Sequence, residues 1–407
     1  MTADRCEALV LGAGVVGVAT AYALARRGLS VTIVDRAPEA GRGTSFANGG
    51  QLSYAYTDAL ASPALLRKLP GLLAMTDPAF RLKPSFDPEF VRWGLDLLRN
   101  CSTSRFMANT LAGLRLALES RLAMHALLER HPLEFGHAVS GKLHLYESGA
   151  SLRAAAGLVE AKRAGGAEHE VLSPAEALNV EPALASIAHR LSGAVYSPQE
   201  EVGDPFLFCT ELLRVLRSDY GVQAHLGATI SSLDLIEGEP TAVIDGQRIH
   251  ARHMVLCTGV DAPALLKGTG IRAPIWPMKG YSVTAPLGPD APTVSITDVT
   301  RKLVFCRLSG RMRIAGLADL GTRDLSVDPR RLANLLDSAR NSLPEAADYE
   351  RLESSWAGLR PMTPSSLPLI RKARPGFVLN VGHGALGWTY AMGAGERAAD
   401  LLLERSR

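Results

Sequence analysis

Three glycines near the start of the chain have the spacing of a backbone loop that holds phosphates. Gly12, Gly14 and Gly17 follow the pattern G-x-G-x-x-G, and Asp35 ends the next β-branched run. In such a loop the first glycine makes a tight turn, the second lets backbone approach a pyrophosphate, and the third allows a helix to pack closely on a strand. The acid would meet a pair of ribose hydroxyls. The residues predicted to line this dinucleotide site are Gly12, Gly14, Val15, Val16, Gly17, Asp35 and Arg36.

The surrounding pattern predicts the elements that position this loop. Residues 8–11 are expected to form a buried strand, residues 15–27 a helix that stops at Gly28, and residues 30–34 a second, parallel strand. The positive N-terminal end of the helix would then face the phosphates. Strand, glycines, helix, strand and acid in this order are more specific than the glycines alone.

The same apolar stretch has two other interpretations, a signal peptide and a membrane span. Residues 23–25, Ala-Leu-Ala, resemble a signal-peptide cleavage site, and the stretch has the length of a short membrane span. Asp4 and Glu7 are unsuited to a positive leading region, and the three glycines weaken a membrane helix. We therefore expect the segment to be retained as part of the fold.

Composition limits the functional classes. The 407 residues are 47% hydrophobic and 21% charged with a net charge of +3, which predicts two domains and gives no sign of a nucleic-acid partner. The five cysteines are widely spaced and the ten histidines show no ligand spacing, so reduced thiols, a cytoplasmic setting and no metal site are expected.

The order of elements predicts an α/β fold in which two domains are interleaved. Helical patterns occupy much of residues 62–130, and four strand-like pieces joined by short turns between 274 and 320 predict an antiparallel sheet. A discontinuous Rossmann-like domain is expected from residues 1–57, 148–273 and 356–407. An α+β substrate domain, which contains the antiparallel sheet, is expected from residues 58–147 and 274–355.

Two further strand ends favour FAD over NAD as the dinucleotide. An apolar strand ends at Thr258 and Gly259, and a glycine-rich loop lies between a strand ending near 381 and the closing helix. Such a loop presents backbone N–H groups at a helix start, which suits a flavin carbonyl that becomes negative on reduction. The glycines of this loop are Gly382, Gly384 and Gly387.

Several motifs together make the chain similar to the FAD-dependent D-amino acid dehydrogenases, the small-subunit type within the D-amino acid oxidase superfamily. The motifs are GAGVVGVA at 12–19, TSFANGGQ at 44–51, LRNCSTS at 98–104, PMKGYS at 277–282, WAGLRPMTP at 356–364 and NVGHGALGWT at 380–389. Glycine and sarcosine oxidases share the first glycine motif and a GLRP-like segment, but they lack the motifs at 44–51 and 380–389 in this form.

The resemblance implies which residues lie along FAD and near its isoalloxazine ring. Hydroxyls, amides and glycines can satisfy the polar edges of a flavin with little bulk. The implied cofactor residues beyond the first loop are Thr44, Ser45, Asn48, Gly50, Gln51, Thr258, Gly259, Gly382, Gly384, Gly387, Trp388 and Thr389.

The resemblance also implies the chemistry. Arg360, in GLRP, stands where the superfamily has its substrate arginine, and its planar guanidinium suits a carboxylate. Tyr281 is expected either to add a hydroxyl to that carboxylate or to form the pocket wall, with Tyr54 and His383 as further candidates. Hydride would pass from the substrate Cα to flavin N5, and the imine would hydrolyse to a 2-oxo acid and ammonia.

The donor class stays open at this point. The chain departs from the family pattern at Ser365, Ser366 and Arg371, in a loop expected near the cofactor or the pocket rim. The preference for the substrate's side chain is therefore undecided. A cyclic D-imino acid such as D-proline or 4-hydroxy-D-proline would serve the same anchor. A glycine or sarcosine oxidase, or a flavin-binding redox module without catalysis, are the remaining alternatives.

The sequence says least about the electron acceptor. Similar dehydrogenases pass electrons to a quinone at the membrane. The segment 64–75 carries Arg67 and Lys68 beside leucines and could rest on the inner face of the plasma membrane as a peripheral contact. An ordinary helical hairpin is the alternative.

Overall fold

The structure is a computed structural model that describes residues 5–73, 77–83, 85–235 and 238–404. Residues 74 and 75 of the segment 64–75 therefore lie outside the described residues, as do the N-terminal residues 1–4, which include Asp4. The helices in the described part are α1 (Val15–Ala25), α2 (Pro63–Leu73), α3 (Pro88–Arg99), α4 (Thr103–Arg130), α5 (Gly149–Ala164), α6 (Pro174–Val180), α7 (Pro205–Tyr220), α8 (Ala262–Leu265), α9 (Pro329–Ser342) and α10 (Gly387–Leu403), with short 3-10 segments at Pro182–Arg190, Gly259–Asp261 and Gly384–Leu386.

The strands fall into two large sheets and one small one. They are β1 (Arg5–Leu11), β2 (Val31–Asp35), β3 (Gln51–Leu52), β4 (Phe80–Leu82), β5 (Ala138–Val139), β6 (Lys142–Tyr146), β7 (Glu170–Leu172), β8 (Gly193–Ser197), β9 (Glu201–Val202), β10 (Gln223–Leu226), β11 (Ile230–Asp234), β12 (Thr241–Ile244), β13 (Gln247–Leu256), β14 (Trp276–Pro286), β15 (Ser295–Asp298), β16 (Leu303–Leu308), β17 (Arg311–Leu320), β18 (Ser354–Met362), β19 (Leu369–Arg374) and β20 (Phe377–Val381).

The first sheet is Rossmann-like and is built from distant parts of the chain. Its order is β10-β2-β1-β13-β12-β11, with β20 on β13 and β19 on β20. β1 pairs in parallel with both β2 and β13, and Leu11 stands opposite Val34 on one side and Leu256 on the other. Because parallel strands end together at one edge, this register places the turns after β1, β2 and β13 side by side.

The second sheet contains the predicted antiparallel block. Its order is β18-β14-β17-β16-β15-β6-β8-β7, and β4 pairs with β17. The ladders from β14 through β17 to β16 and β15 are antiparallel, as the pattern between 274 and 320 predicts. The α/β class with an antiparallel sheet is thus confirmed.

The two sheets do not follow the expected division of the chain at three strands. Strands β7 and β8 fall within 148–273 and most of β18 within 356–407, yet all three belong to the second sheet. Helix α4, which falls within 58–147, packs instead on α10 of the first domain, where a Cβ on Gly393 would lie only 2.9 Å from the backbone nitrogen of Ser120. These memberships are set by pairing between residues far apart in sequence, which local patterns do not encode.

Close packing of α1 fixes the start of the dinucleotide loop. Nearly every residue of α1 is buried, and the helix lies so near α10 that a Cβ on Gly395 would be 2.8 Å from the carbonyl of Ala19. The helix ends at Ala25, two residues earlier than predicted, and Arg26 and Arg27 then pair with Glu396 of α10. Gly28 has a φ of +89°, which favours glycine at the stop. The described helices include none long and apolar enough to cross a bilayer.

Candidate functional site

A single large cavity of about 900 Å³ lies between the two sheets and receives most of the predicted site residues. Its wall includes the turns after β1, β2 and β13, the loop of residues 42–53, the face of the second sheet and the start of α10. The predicted residues in the wall are Gly12, Gly14, Val15, Val16, Asp35, Arg36, Thr44, Ser45, Asn48, Gly50, Gln51, Thr258, Gly259, Tyr281, Arg360, His383, Gly384, Gly387 and Trp388. Gly17, Tyr54, Gly382 and Thr389 are not in it.

The glycine loop is shaped by steric room. Gly12 has a φ of +105°, and a Cβ there would lie 2.7 Å from the carbonyl oxygen of Cys257. A Cβ on Gly17 would overlap the carbonyl of Gly12 and lie 2.7 Å from its carbon. A Cβ on Gly14 would meet only Ser45 Oγ, at 3.4 Å. The first and third glycines therefore allow backbone to pack on backbone, while the second leaves room toward the cavity.

Two acids stand at the end of the first sheet. Asp35 Oδ2 accepts from the backbone N–H of Ala13 at 2.6 Å and Oδ1 from Ala37 at 2.8 Å. Arg36 pairs with Asp261 at 2.8 Å, so the turns after β2 and β13 are linked at the cavity wall. Asp35 thus braces the glycine loop and still presents a carboxylate to the cavity, as a ribose-binding acid must.

The loop of residues 42–53 is fastened to both sheets. Ser45 Oγ accepts from the backbone N–H of Val15 at 3.2 Å, at the start of α1. Thr44 Oγ1 donates to the Leu359 carbonyl at 2.7 Å, and Gln51 Nε2 donates to Ser295 Oγ at 2.5 Å, both in the second sheet. Asn48 Oδ1 accepts from the N–H of Gly50 and shapes the turn between them. The loop therefore forms a fixed wall between the glycine turn and the second sheet.

The loop before α10 contributes a neutral imidazole. His383 is 4% exposed, burial lowers its pKa to about 3, and its Nε2 has no hydrogen-bond partner among the described residues. Gly382 faces Thr363 rather than the cavity, since a Cβ there would meet Thr363 Cγ2. Thr389 Oγ1 accepts a hydrogen bond from the N–H of Ser53. Those two residues support the loop from behind the cavity wall.

The wall fits the polar edges of a flavin dinucleotide. Besides His383 Nε2, Thr258 Oγ1 and Asn380 Oδ1 on the side of the first sheet are among the buried atoms of wall residues that find no partner in the described part of the chain. Unpartnered buried polar atoms are rare in folded proteins, and three on this side of the cavity indicate a bound polar ligand. Together with the open side of Gly14, they match the phosphates and ring edges of FAD.

Arg360 is held against the cavity by backbone. It lies on β18 opposite Met278, its Nη1 donates to the Leu317 carbonyl at 3.2 Å, and a Cβ on Gly280 would lie 2.5 Å from its Cζ. Leu317 has a φ of +57°, and the β14–β17 ladder shifts register beside it. A bulky residue in that region of backbone space is strained and must be held by its surroundings. The bulge thereby aims a carbonyl at the guanidinium.

The charge of Arg360 is unmatched in the described structure. No carboxylate of the described residues forms an ion pair with its guanidinium, and burial lowers its pKa, although an arginine stays protonated at neutral pH. A guanidinium without a counter-anion at a cavity wall is suited to an incoming carboxylate.

Tyr281 forms wall but does not offer its hydroxyl. Side chains alternate along a strand, so Gly280 and Ser282 face the cavity while Tyr281 projects to the far side of the sheet. There its hydroxyl donates to Asp319 Oδ2 at 2.8 Å, and Asp319 pairs with Arg331. Of the two expected roles, the hydroxyl contact to a substrate carboxylate is therefore not available in this geometry.

Tyr54 lies outside the cavity wall in a separate buried cluster. Its hydroxyl bonds to Glu201 Oε2 at 3.1 Å, and Glu201 also contacts His125 and His137. The raised pKa of Tyr54, caused first by burial and then by Glu201, keeps the phenol neutral. The neighbouring Tyr56 lies in the cavity wall instead.

Sequence reasoning missed several polar residues of the wall, among them Ser53, Tyr56, Lys142 and Thr297. Lys142 starts β6, where lysine, histidine and tyrosine alternate with leucines. That alternation is also typical of a solvent-facing strand, so no sequence signal distinguished a cavity face. The altered loop at Ser365, Ser366 and Arg371, expected at the pocket rim, is not part of the wall; Ser366 Oγ accepts from the N–H of Leu60.

The described residues hold no cluster of three or more histidine, cysteine, aspartate or glutamate side chains placed to bind a metal ion. The described cysteines are unpaired thiols, and burial raises the pKa of Cys257, in the cavity wall, to about 12. The polar chemistry of the cavity therefore comes from backbone, hydroxyls, amides, carboxylates such as that of Asp35, one imidazole, and cations of which Arg360 and Lys142 are the buried ones among the described wall residues.

Known proteins share both the sequence and the shape of this chain. It is 40% identical to the D-amino acid dehydrogenase 2 of Ralstonia nicotianae, over 98% of this chain and 96% of that protein, and 41% identical to a D-amino acid dehydrogenase of Paramagnetospirillum magneticum, over 98% and 95%. Its fold matches glycine oxidase from Geobacillus kaustophilus with a TM-score of 0.78 at 23% identity, covering 99% and 96% of the two chains. L-proline dehydrogenase from P. horikoshii follows, with a TM-score of 0.77 at 19% identity, covering 99% and 94%.

Family membership agrees with the shape of the cavity. The chain matches the FAD dependent oxidoreductase family over residues 7–401, which includes both sheets and every wall residue named above. The expectation of FAD rather than NAD is confirmed by this match. With the glycine turn, the acid after β2 and the unpartnered polar wall in one cavity, the chain belongs to the FAD dependent oxidoreductases and is a FAD-dependent enzyme.

Proposed function

We propose that this enzyme oxidises D-amino acids to imines, which water converts to 2-oxo acids and ammonia, and passes the electrons to a quinone-type acceptor. The observation that carries the proposal is the unmatched guanidinium of Arg360 in the wall of the FAD cavity. The configuration of the donor is supported by the two relatives that are named as D-amino acid dehydrogenases.

Arg360 would bind the carboxylate of the substrate. One of its N–H groups is used by the Leu317 carbonyl, and the others remain for two parallel bonds to a carboxylate. Hydrogen bonds to charged groups contribute about 1.5–3 kcal/mol each, so this one residue can provide much of the binding free energy of a small zwitterion. Gly280 keeps the space that the guanidinium occupies.

The first sheet would hold the cofactor. The turn at Gly12 and Gly14 with the start of α1 would take the pyrophosphate, and Asp35 a ribose. The loop of residues 42–53 and the loop before α10 would line the ring. When bound, FAD supplies the two-electron oxidation of the carbon–nitrogen bond by accepting a hydride from Cα.

His383 and Trp388 would line the wall near the ring without adding charge. The neutral His383, whose pKa is lowered by burial, adds no competing cation, and Trp388 closes the wall with its Nε1 donating to the Gly203 carbonyl at 3.2 Å. A carboxylate held by Arg360 in this setting is oriented with few alternatives, which is how positioning lowers a barrier.

Anaerobic bleaching of the flavin by a panel of amino and imino acids tests the proposal. D-alanine should bleach the purified yellow protein and L-alanine should not. Bleaching by D-proline or 4-hydroxy-D-proline but by no primary amine would favour the cyclic-imine alternative. If no member of the panel bleaches the flavin, the enzyme does not use amino acids.

The acceptor is tested separately. A dehydrogenase should reduce an artificial quinone or dye acceptor much faster than it consumes oxygen in an oxygen electrode. Rapid oxygen consumption with glycine or sarcosine would replace the proposal with an oxidase of that type.

We also propose that α2 and α3 rest on an anionic membrane surface. Several large apolar side chains there face solvent, among them Leu66, Leu73, Val91 and Leu95, and Phe86 between the helices is 97% exposed. Exposed cations stand beside them: Arg67, Lys68, Arg92 and Arg99. Apolar side chains flanked by cations suit the interface of an anionic bilayer, where a quinone would be found.

Sedimentation with vesicles tests this surface. The protein should pellet with vesicles that contain phosphatidylglycerol and not with neutral ones, and Phe86→Ser combined with Leu73→Ser should release it. Equal pelleting of the double variant would show that these side chains are not the contact.

A further inference from the structure

The cavity contains a second buried cation, far from Arg360 along the sheet. Lys142 lies at the start of β6, is 2% exposed, and its Nζ donates to Ser53 Oγ at 2.6 Å. Both residues are in the wall of the same cavity as Arg360. We call the wall formed by Ser53, Tyr56, Lys142 and Thr297 the Lys142 end.

Lys142 has no contacting counter-charge in the described structure. Its neighbour Glu200 acts on it through space, but Glu200 Oε1 accepts from the N–H of Ala55 and its buried Oε2 has no partner among the described residues. Lys162 gives the contrast: it stands at the same 5.2 Å from the centre of the Tyr56 ring, and it is paired with Asp58. A buried ammonium without a contacting anion is costly, and burial lowers the pKa of Lys142 to about 8.

A hydroxyl at the Lys142 end is also unsatisfied. Thr297 is 8% exposed, and its Oγ1 has no partner among the described residues. Behind the wall, the His144 ring stacks on Tyr56 with centres 3.9 Å apart. A hydroxyl that faces the cavity beside an unmatched ammonium indicates a ligand with an anionic oxygen.

Sheet order sets the spacing between the two cations. Arg360 bonds to the carbonyl of Leu317 on β17, and Lys142 is on β6, three ladder steps away across β16 and β15. Three steps correspond to about 14 Å between the backbone of β17, beside which the Arg360 guanidinium lies, and the backbone of β6, and the Lys142 side chain extends into this gap. A substrate bound at Arg360 would approach Lys142 only through an extended side chain, and a side chain that ends in a carboxylate would meet the Lys142 ammonium.

We propose that Lys142, with the hydroxyls of Ser53 and Thr297, binds a carboxylate, so that the enzyme prefers D-amino acids whose side chain ends in a carboxylate. This rests on the proposed oxidation of D-amino acids. The same chemistry would bind a separate small carboxylic acid beside a short substrate, and the experiment below distinguishes the two sources.

The kinetic test uses two five-carbon substrates that differ only at the end of the side chain. D-glutamate carries a carboxylate where D-norvaline carries a methyl group. The wild-type enzyme should have the higher kcat/KM with D-glutamate, and Lys142→Met should lower the ratio of the two values about tenfold, as expected for one charged hydrogen bond.

A binding test without turnover uses the holoenzyme and two acids that have no amine. Glutarate should perturb the visible flavin spectrum at lower concentration than valerate, and Lys142→Met should equalise the two dissociation constants. If a separate acid is the ligand, acetate should inhibit D-alanine oxidation without competing with it, and the variant should abolish that inhibition. A side-chain carboxylate predicts competition only.

Lys162→Met is the matched control, because it removes a buried cation equally near Tyr56 but outside the cavity wall. It should leave the substrate ratio as in the wild type. An unchanged ratio and unchanged glutarate binding in Lys142→Met would overturn the inference, as would loss of FAD or an altered resting flavin spectrum, which would make Lys142 a flavin contact. D-alanine and D-norvaline turnover with no preference for D-glutamate would refute the carboxylate site alone. Failure of all D-amino acids would refute the proposed function, and glutarate binding would then decide the site.

Discussion

The two sides of the cavity offer a ligand different surfaces. On the side of the first sheet, glycines leave backbone exposed in place of side chains, as at Gly12, Gly14 and Gly17. On the side of the second sheet, two buried cations, Arg360 and Lys142, stand on strands far apart in the sheet. Under the proposed function these surfaces give two kinds of recognition. The first kind depends on steric room and the second on charge, so substitutions should separate loss of the cofactor from loss of turnover.

The supports of the two sides differ as well. The glycine loop is braced by side-chain oxygens of Asp35 and Ser45, which accept from its backbone N–H groups. Arg360 is braced by a strained backbone, since Leu317 has a φ of +57° beside a bulge. Bulges often aim a group next to an active site. A cofactor site built on regular elements and a substrate site built on a local irregularity can change independently.

The largest effect, loss of flavin, is expected from a substitution in the glycine loop. In Gly17→Ala the added Cβ would overlap the carbonyl of Gly12, and neither backbone can move without separating α1 from β1. We expect the purified variant to be colourless or to have lost most of its flavin, measured as the ratio of absorbance at 450 nm to that at 280 nm.

Gly157→Ala is the matched control for this glycine substitution. Gly157 lies in α5, is exposed, and a Cβ there meets nothing within 4 Å. That variant should keep its flavin and gain up to about 1 kcal/mol of unfolding free energy from helix propensity. Full flavin content in Gly17→Ala would break the assignment of the cofactor to this side.

The second effect is expected at the anchor. Arg360→Ala removes two charged hydrogen bonds to the substrate carboxylate, so kcat/KM for D-alanine should fall on the order of 10²–10⁴-fold. The flavin content should stay that of the wild type. Steady-state kinetics with a dye acceptor and the 450 nm absorbance measure both quantities.

Arg371→Ala is the control for charge loss nearby. Arg371 is exposed, lies outside the cavity wall, and donates only to the Arg272 carbonyl among the bonds described for it. Its kinetics should match the wild type. Wild-type kinetics in Arg360→Ala would remove that residue from the site, and loss of flavin would place it with the cofactor instead.

A smaller effect is expected at Gly280, which leaves room for the guanidinium of Arg360. In Gly280→Ala the new Cβ would lie 2.5 Å from Cζ of Arg360 and displace the guanidinium, whose end is flexible enough to move. A misplaced anchor should raise KM and lower kcat/KM about 10- to 30-fold with the flavin retained. An unchanged KM would show that the guanidinium does not need its present position.

Local sequence patterns were sufficient to predict most of the glycine loop and its neighbouring elements, on the side of the first sheet. Gly17 is required by sterics within the turn, Gly12 has a φ of +105°, and β1, α1 and β2 follow from periodicity within about 30 residues. The antiparallel order of β15, β16 and β17 was likewise predictable, because short turns join these strands in sequence, whereas the pairing of β14 with β17 rather than with β15 was not. The family resemblance added Arg360, which no local pattern distinguishes from any other strand arginine.

The cavity face of the second sheet, with Arg360 and Lys142, could not be predicted from local patterns. Pairing of β6 with β15 and of β14 with β18 joins residues far apart in sequence, and it decides which face meets the cavity. Strand alternation alone is sufficient to place Tyr281 on the face opposite Gly280 and Ser282. For Lys142 even alternation was ambiguous, since a lysine–histidine–tyrosine face is equally typical of a solvated strand.

The smallest predicted effect is a pH dependence of the preference for D-glutamate over D-norvaline. Burial holds the pKa of Lys142 at about 8, so its positive charge is present below that pH and is lost above it. The buried Glu200, whose pKa is raised to about 7, becomes negative over the same interval and would further repel a carboxylate. Of the other groups that face Lys142, burial raises the pKa of Cys306 to about 12 and lowers the pKa of His144, so neither changes its charge in this interval. Lys162 is held in an ion pair with Asp58.

Both effects have the same sign, so the ratio of kcat/KM for the two substrates should fall about fivefold between pH 7 and pH 9. Ionisation of the substrate ammonium and of the flavin acts on both substrates and cancels in this ratio. Lys142→Met should give a low ratio that does not vary with pH. A ratio in the wild type that is flat or rises with pH would mean that the charge on Lys142 does not select the side chain, and the cavity would then have a single ionic anchor, at Arg360.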